Sequence, residues 1–211
     1  MKHSHRSAVR LATAAGAVTI ALALTACGSD GGGHDEDSSA PSGSSTTPAE
    51  DGEQNAADIS FAQGMIPHHQ QAVEMADLAL DQTTSDEVRT LAEQIRAAQA
   101  PEIETLSGWL AAWGEAIPEE GMDHSDHDMG GDMDMDGMMS AEDMTELENA
   151  SGTAFDTAFL EMMIEHHRGA VEMAETEQAD GSYRPALDMA EDIISSQTAE
   201  IGAMNELLGE G

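Results

Sequence analysis

A segment of sixteen residues that occurs twice constrains the fold of this chain more than any other feature. Residues 61–76 and 159–174 lie 98 positions apart and are identical at ten of sixteen positions. The same spacing, without a gap, also pairs a Gln-x-x-Glu-Ile sequence at residues 99–103 with one at residues 197–201. A match of this length indicates the duplication of one structural unit.

Each copy of the repeat has the pattern of two helices joined by a short turn. Apolar residues recur every three or four positions over residues 58–81 and again over residues 86–113. Ser85 and Ser182 are typical helix starts, and Gly114 is a typical helix end. Two helical hairpins with one apolar face each bury those faces best against one another. The sequence therefore predicts an all-α protein, with the two duplicated helical hairpins forming a four-helix bundle.

The first 27 residues have the composition of an export signal. Three basic residues precede an apolar run at residues 11–26, which is too short for a comfortable membrane span. The run ends in Leu-Thr-Ala followed by Cys27, which resembles a bacterial lipobox, where the cysteine is lipidated and begins the mature chain. We expect an exported protein that is lipid-anchored through Cys27 to the outer face of the cell membrane. An ordinary secretory signal with a chance cysteine, the alternative, also implies export.

Residues 28–57 form a different compositional region. They are rich in Gly, Ser, Pro and acidic residues, with almost no large apolar side chain, so they cannot bury a core and are expected to form a disordered tether. The remaining chain, 58–211, divides into a first repeat, a connector and a second repeat. These three segments are residues 58–114, 115–139 and 140–211.

Charge and cysteine content exclude several classes of function. The chain has 42 acidic residues against 7 basic ones and a formal net charge of −35. Such a chain cannot hold a nucleic acid backbone, which requires clustered Lys and Arg. A single cysteine also excludes a disulfide scaffold and a zinc site built from four cysteines.

A pair of adjacent histidines lies on the apolar face of the first predicted helix in each repeat. At 100° per residue, both histidines and the two neighbouring methionines fall within the buried arc. A buried imidazole needs a polar partner, and few other polar groups are expected to point inward. A metal ion would satisfy these nitrogens, although ordinary packed core residues remain the alternative. The candidate ligands are Met65, His68, His69, Met75, Met163, His166, His167 and Met173.

The residue types around these histidines favour copper. A di-iron carboxylate site needs a Glu-x-x-His spacing, which occurs nowhere in the chain. Thioethers suit Cu(I) and imidazoles suit Cu(II), whereas zinc gains little from methionine. The sequence therefore predicts copper, with zinc less favoured.

The connector supplies a second candidate site. Residues 121–139 hold six methionines and two histidines among glycines and aspartates, with no other apolar residue to form a core. This composition predicts a flexible loop that wraps Cu(I), and the alternative is a solvated acidic loop. Its candidate ligands are Met122, His124, His127, Met129, Met133, Met135, Met138 and Met139.

The doubled motif resembles a known family. Met-x-x-His-His-x-x-Ala-x-x-Met-Ala, followed by Gln-x-x-Glu-Ile and Trp109-Leu110, is similar to the bacterial secreted family catalogued as domain of unknown function 305 over about residues 58–208. The resemblance implies a ferritin-like helical bundle and, from some members, extracytoplasmic copper binding and tolerance. The eight His and Met positions of the doubled motif match this family. Pro67 opposite Glu165 departs within the repeat, and the Met-rich connector is not a general feature of the family.

These features favour a membrane-tethered, extracytoplasmic protein that sequesters or hands on copper. An enzyme is less favoured because the sequence has no separate substrate-activating group of residues, although a redox enzyme with a metal buried in the bundle stays open. A metal-independent interaction module, with methionines as the adaptable contact surface, is the third interpretation. The expected partners are a metal ion and, through the lipid, the membrane. A nucleic acid is not expected, and the sequence does not identify a protein partner.

Overall fold

A computed structural model describes residues 52–119 and 137–209, and every regular element within these two ranges is an α-helix. The all-α prediction is therefore confirmed for the described part of the chain. None of its helices is both long and apolar enough to cross a membrane. The five helices are α1 (Ala56–Gln82), α2 (Asp86–Trp113), α3 (Ala141–Asn149), α4 (Thr153–Asp180) and α5 (Arg184–Leu208).

The helix α2 begins and ends where the sequence predicts. The hydroxyl of Ser85 accepts a hydrogen bond from the backbone N–H of Val88 at the start of α2. Gly114 ends that helix with a φ of 78°, a left-handed conformation that glycine adopts without steric cost. Ser140 and Asp143 form a reciprocal capping box before α3.

The start of α5 differs from the sequence-based expectation. The helix begins at Arg184 rather than directly after Ser182, and no side chain caps it. The Ser182 hydroxyl instead donates to the backbone carbonyl of Glu53, and the Ser182 backbone N–H donates to the carboxylate of Asp58. Ser182 therefore joins the α4–α5 turn to the beginning of the first hairpin.

The helices pack as two hairpins that meet through their first members. The helix α1 lies along α2, α4 lies along α5, and the hairpins contact each other mainly through α1 and α4. Two hydrophobic clusters form the core. The first joins the C-terminal half of α1 to the N-terminal half of α4, and the second joins the opposite halves, so α1 and α4 run antiparallel.

An aspartate in the first helical turn of each hairpin accepts hydrogen bonds from the loop that joins the two helices of the other hairpin. Asp58 accepts hydrogen bonds from the backbone N–H groups of Ser182 and Tyr183, at 3.0 and 2.9 Å. Asp156, located 98 residues after Asp58, accepts a hydrogen bond of 2.5 Å from the Thr83 hydroxyl. These two contacts connect sequence-distant turns and fix how the hairpins meet.

A buried glutamate lies beside the first of these contacts. Glu177 on α4 is 1% exposed. Burial and the neighbouring Asp58 carboxylate raise the pKa of Glu177 to about 8. Burial also acts to raise the pKa of Asp58, but hydrogen bonds from the backbone N–H groups of Asn55, Tyr183 and Ser182, together with the nearby Glu177 carboxyl, outweigh it and lower that pKa. The proton of this carboxyl pair therefore resides on Glu177 at neutral pH.

Candidate metal centre

A layer of polar residues separates the two hydrophobic clusters of the core. Along each long helix, residues of one cluster come before this layer and residues of the other cluster come after it. We call these residues the polar layer. Its members are His68 and His69 on α1, Gln99 and Glu102 on α2, His166 and His167 on α4, and Gln197 and Glu200 on α5.

Two histidine rings meet at the point where the hairpins contact each other. The ring centroids of His68 and His166 lie 3.8 Å apart, with an angle of 44° between the ring planes. Both side chains are 0% exposed. Burial, together with the nearby imidazoles of His68, His167 and His69, holds the pKa of His166 well below its usual value. His166 is therefore a neutral imidazole with a lone pair available to a metal ion.

The second histidine of each pair contacts a glutamate on the adjacent helix. His69 Nε2 lies 2.7 Å from Glu102 Oε2, and His167 Nε2 lies 2.6 Å from Glu200 Oε2. The histidines are fully buried, whereas the two glutamate side chains are 24% and 20% exposed. The glutamates therefore form the outer edge of the polar layer and the imidazoles lie inside it.

Several buried polar atoms of this layer have no hydrogen-bond partner within residues 52–119 and 137–209. They include Nδ1 of His69, Nδ1 of His167 and both side-chain polar atoms of Gln99. Neither ring nitrogen of His166 makes a hydrogen bond of normal geometry in these ranges. The nearby His68 backbone raises the pKa of His166, but less than burial lowers it. Each such atom costs about 1–3 kcal/mol. Imidazole nitrogens without partners are what a metal ion would satisfy.

The predicted methionine ligands flank the polar layer on both sides. Met75 and Met163 belong to the first hydrophobic cluster and Met65 to the second, all at 0% exposure. Met173 is half-buried and packs against the second cluster. Its methyl carbon lies so close to α1 that a Cβ added to Gly64 would stand 3.2 Å away. Thioethers therefore lie on each side of the histidines.

Carboxylates and imidazoles alone do not make a preformed metal site in the described ranges. No group of three or more His, Cys, Asp or Glu residues that could hold an ion occurs there. The thioethers of the flanking clusters would add sulfur donors to the imidazoles of the polar layer. That donor set fits a soft ion such as Cu(I) and fits zinc less well.

The end of the connector docks next to the polar layer. The backbone N–H of Met139 donates to the Gln71 side chain at 2.7 Å, and the Gln71 amide donates back to the Met139 carbonyl at 2.8 Å. Gly137 has a φ of +84° and packs against α4, where an added Cβ would lie 2.6 Å from the Glu165 carbonyl oxygen. Gln71 is two residues after His69 and Glu165 directly precedes His166, so the docked end lies beside both histidine pairs.

Only part of the predicted connector site can be located. Met138 and Met139 are half-buried, and Met139 packs against the first hydrophobic cluster. The other predicted ligands of the connector and the predicted lipidation site lie outside the described residues. These are Met122, His124, His127, Met129, Met133, Met135 and Cys27.

Sequence reasoning missed four members of the polar layer. The expectation that few polar groups other than histidine point inward is incomplete, because Gln99, Glu102, Gln197 and Glu200 also lie there. Their signal was present in the sequence as the repeated Gln-x-x-Glu-Ile segment. Identical polar residues at the same place in both repeats indicate a shared role.

Comparisons with known proteins find solved structures similar to this chain. A secreted protein of the DUF305 family from Streptomyces coelicolor, as its crystal structure is described, is 34% identical over 77% of this chain and 94% of that chain, with a TM-score of 0.64. A DUF305 fragment from Deinococcus radiodurans is 27% identical over 75% and 99% of the two chains, with a TM-score of 0.64. CopM in its Cu(II)-bound form is 32% identical over 71% and 94%, with a TM-score of 0.60.

No curated protein matches the chain. The family described as "Domain of unknown function (DUF305)" matches residues 58–208, which is most of the chain and includes both histidine pairs and the whole polar layer. The chain therefore belongs to the DUF305 family.

Proposed function

We propose that this protein is an extracytoplasmic, membrane-tethered copper-binding protein that sequesters or hands on copper. The observation that carries the proposal is the polar layer, in which buried imidazole nitrogens without partners lie between two sets of thioethers. CopM, a similar protein, is described in Cu(I)-bound, Cu(II)-bound and Ag-bound forms. All three are ions for which imidazole and thioether are suitable ligands.

The proposed ligands in the core are the histidines and methionines of the repeated motif. Imidazole nitrogens of the two histidine pairs would bind the ion, and thioethers from the flanking clusters would complete its coordination. Because a thioether carries no proton near neutral pH, this set would retain Cu(I) in mildly acidic surroundings. The eight residues are Met65, His68, His69, Met75, Met163, His166, His167 and Met173.

The connector is proposed as a capture segment that supplies the core. Its six methionines and two histidines would bind Cu(I) weakly, and its docked end at Met139 would bring that copper close to the polar layer. The strongly acidic chain would raise the local concentration of cations. Capture and storage would thus occupy different parts of one molecule.

We also infer the architecture and the anchoring of the whole chain. Four long helices would form a ferritin-like bundle built from two duplicated hairpins, which the recurrence of the His–Glu contact after 98 residues supports. A signal peptide at 1–27 would end at a lipidated Cys27, and a tether would follow it. The tether expected at residues 28–57 ends earlier than the sequence indicates, because α1 begins at Ala56 and Asn55 caps it. The similar Streptomyces protein is described as secreted, which agrees with export.

Copper binding is tested by titrating Cu(I) and Cu(II) into the purified protein against a competing chelator. A variant with all four methionines of the motif replaced by leucine keeps the apolar volume and removes the sulfur atoms. Met204→Leu is the matched control, because Met204 is also 0% exposed but lies on α5, outside the repeated histidine motif. We expect the four-methionine variant to lose Cu(I) affinity and the Met204 variant to keep it.

Two further variants separate the core from the connector. A variant with His68, His69, His166 and His167 changed to alanine removes the core imidazoles. Deletion of residues 121–136 removes most of the connector and leaves its docked end in place. If the wild type and every variant bind copper alike and weakly, the protein is not a copper-binding protein. If only the deletion loses copper, the polar layer is structural and the connector is the site.

A further inference from the structure

The contact between histidine and glutamate in each hairpin determines which ring nitrogen is free. His69 Nε2 and His167 Nε2 face the carboxylate oxygens of Glu102 and Glu200 at 2.7 and 2.6 Å. A carboxylate can only accept a hydrogen bond, so the ring nitrogen facing it carries the proton. When the imidazole is neutral, this Nε2–H is its single N–H, and its other nitrogen, Nδ1, presents a lone pair.

The atoms with these lone pairs are buried inside the polar layer. Nδ1 of His69 and Nδ1 of His167 have no hydrogen-bond partner within the two described ranges. The His167 ring centroid lies 6.4 Å from that of His166, the neutral imidazole at the contact between the hairpins. A lone pair without a partner next to further imidazoles and thioethers is suited to bind a soft cation.

We propose that Glu102 and Glu200 are positioning residues, which hold His69 and His167 as Nε2–H tautomers and so present their Nδ1 atoms as metal-binding atoms. This inference rests on the proposed copper-binding function. It assigns a role to two carboxylates that would not themselves touch the ion. Carboxylates that orient metal-binding histidines in this way also increase the basicity of the ligand.

The contact recurs in both hairpins although the neighbouring residues differ. The two histidines have different neighbours in sequence, with Pro67 near the first pair and Glu165 and Arg168 around the second. Despite these differences, the His–Glu contact forms in both hairpins with the same atoms and nearly the same length. A glutamate that only satisfied a buried nitrogen would give the same contact, so the two roles must be separated by experiment.

The tautomers are measured by nitrogen-15 NMR of the full chain labelled at its histidines. Single His69→Phe and His167→Phe variants assign the ring signals. We expect both histidines to show the Nε2–H tautomer without metal, and silver nitrate to shift the Nδ1 signals while Nε2 stays protonated. Silver is the probe because Ag(I) is diamagnetic and as soft as Cu(I).

Glutamate variants then test the positioning role. The double variant Glu102→Ala/Glu200→Ala should mix the two tautomers and weaken Ag(I) and Cu(I) binding about 10- to 100-fold. The double variant with glutamine in place of both glutamates keeps an acceptor oxygen, so it should fall between the alanine variant and the wild type. Glu93→Ala/Glu191→Ala is the matched control, because these glutamates are exposed and lie on the same two helices.

The possible results separate this inference from the proposed function. If Ag(I) shifts the Nε2 signals, or if the wild type shows Nδ1–H tautomers, the positioning role is wrong although metal binding stands. An alanine variant that keeps both its tautomers and its affinity would also overturn it. If no histidine signal responds to Ag(I) or Cu(I), the proposed function fails at this site.

Discussion

Replacing Glu177 with glutamine should remove a pH dependence of the stability of the fold. The pKa of Glu177 is raised from 4.5 to about 8, so the folded protein keeps a proton that the unfolded chain releases. The protein is therefore most stable below the unfolded value and loses stability as pH rises towards 8. The loss is at most about 1.4 kcal/mol per pH unit, and about 2 kcal/mol between pH 6 and pH 8.

The assay is urea denaturation of the wild type and of Glu177→Gln at pH 6 and pH 8. Glutamine has nearly the same size, and its amide can donate to Asp58 without ionising. The difference in the free energy of unfolding between the two proteins should change by about 2 kcal/mol between these pH values. All other groups, including the histidines, titrate alike in both proteins and cancel from this difference. Glu175→Gln, an exposed neighbour on α4, should show no such change.

A constant difference between wild type and Glu177→Gln across this pH range would refute the reasoning. It would mean that Glu177 ionises normally in the folded protein, with water or a movement of the turn relieving its burial. The carboxyl pair would then have no special role in joining the two hairpins.

The same substitution should have opposite effects at two glycines, and the loss of one hydrogen bond in a turn should destabilise the protein. Gly137→Ala should release the docked end of the connector and speed amide hydrogen exchange at Met139, because its Cβ would meet the α4 backbone at 2.6 Å. Gly108→Ala, in a helix with nothing within 4 Å, should instead stabilise the protein by about 0.5–1 kcal/mol. Thr83→Val should lower the free energy of unfolding by about 1–3 kcal/mol, since it leaves the Asp156 carboxylate without its partner. Thr84→Val, at an exposed position in the same turn, should change it little.

The helices could be predicted because their signals are local. Apolar spacing, the Ser85 cap and the left-handed Gly114 lie within the segments whose structure they determine. The start of α5 could not be placed as well, because Asp58 and Glu53 from the beginning of the first hairpin take the hydrogen bonds of Ser182. A contact between residues more than 120 positions apart has no local signal.

The burial of the candidate ligands could be predicted only where the periodicity of their own helix determines it. All four histidines and three of the four methionines are fully buried, as the helical arc predicts. Met173 is half-buried although its counterpart Met75 is not. Met75 lies in the first hydrophobic cluster, which also includes Leu147 of α3 and against which Met139 packs, whereas Met173 packs against the second cluster.

The partners of the outer histidines could not be predicted from the arc. Glu102 lies 33 residues from His69, on a neighbouring helix, and Glu200 lies equally far from His167. The periodicity of one helix predicts which of its residues face inward, but it does not predict which residues of other helices they contact. The repeat shows that both hairpins have a glutamate at this position. Its contact with a histidine depends on how the two helices of each hairpin are aligned, which the sequence does not show.

The most direct test of the central claim is X-ray absorption at the copper K-edge of the protein loaded with one equivalent of Cu(I). A site in the polar layer predicts both imidazole nitrogen and thioether sulfur around the ion. The sulfur signal should persist after deletion of residues 121–136 and should disappear when Met65, Met75, Met163 and Met173 are replaced by leucine. A spectrum without sulfur, or one that these four substitutions leave unchanged, would contradict the assignment of the core as the copper site.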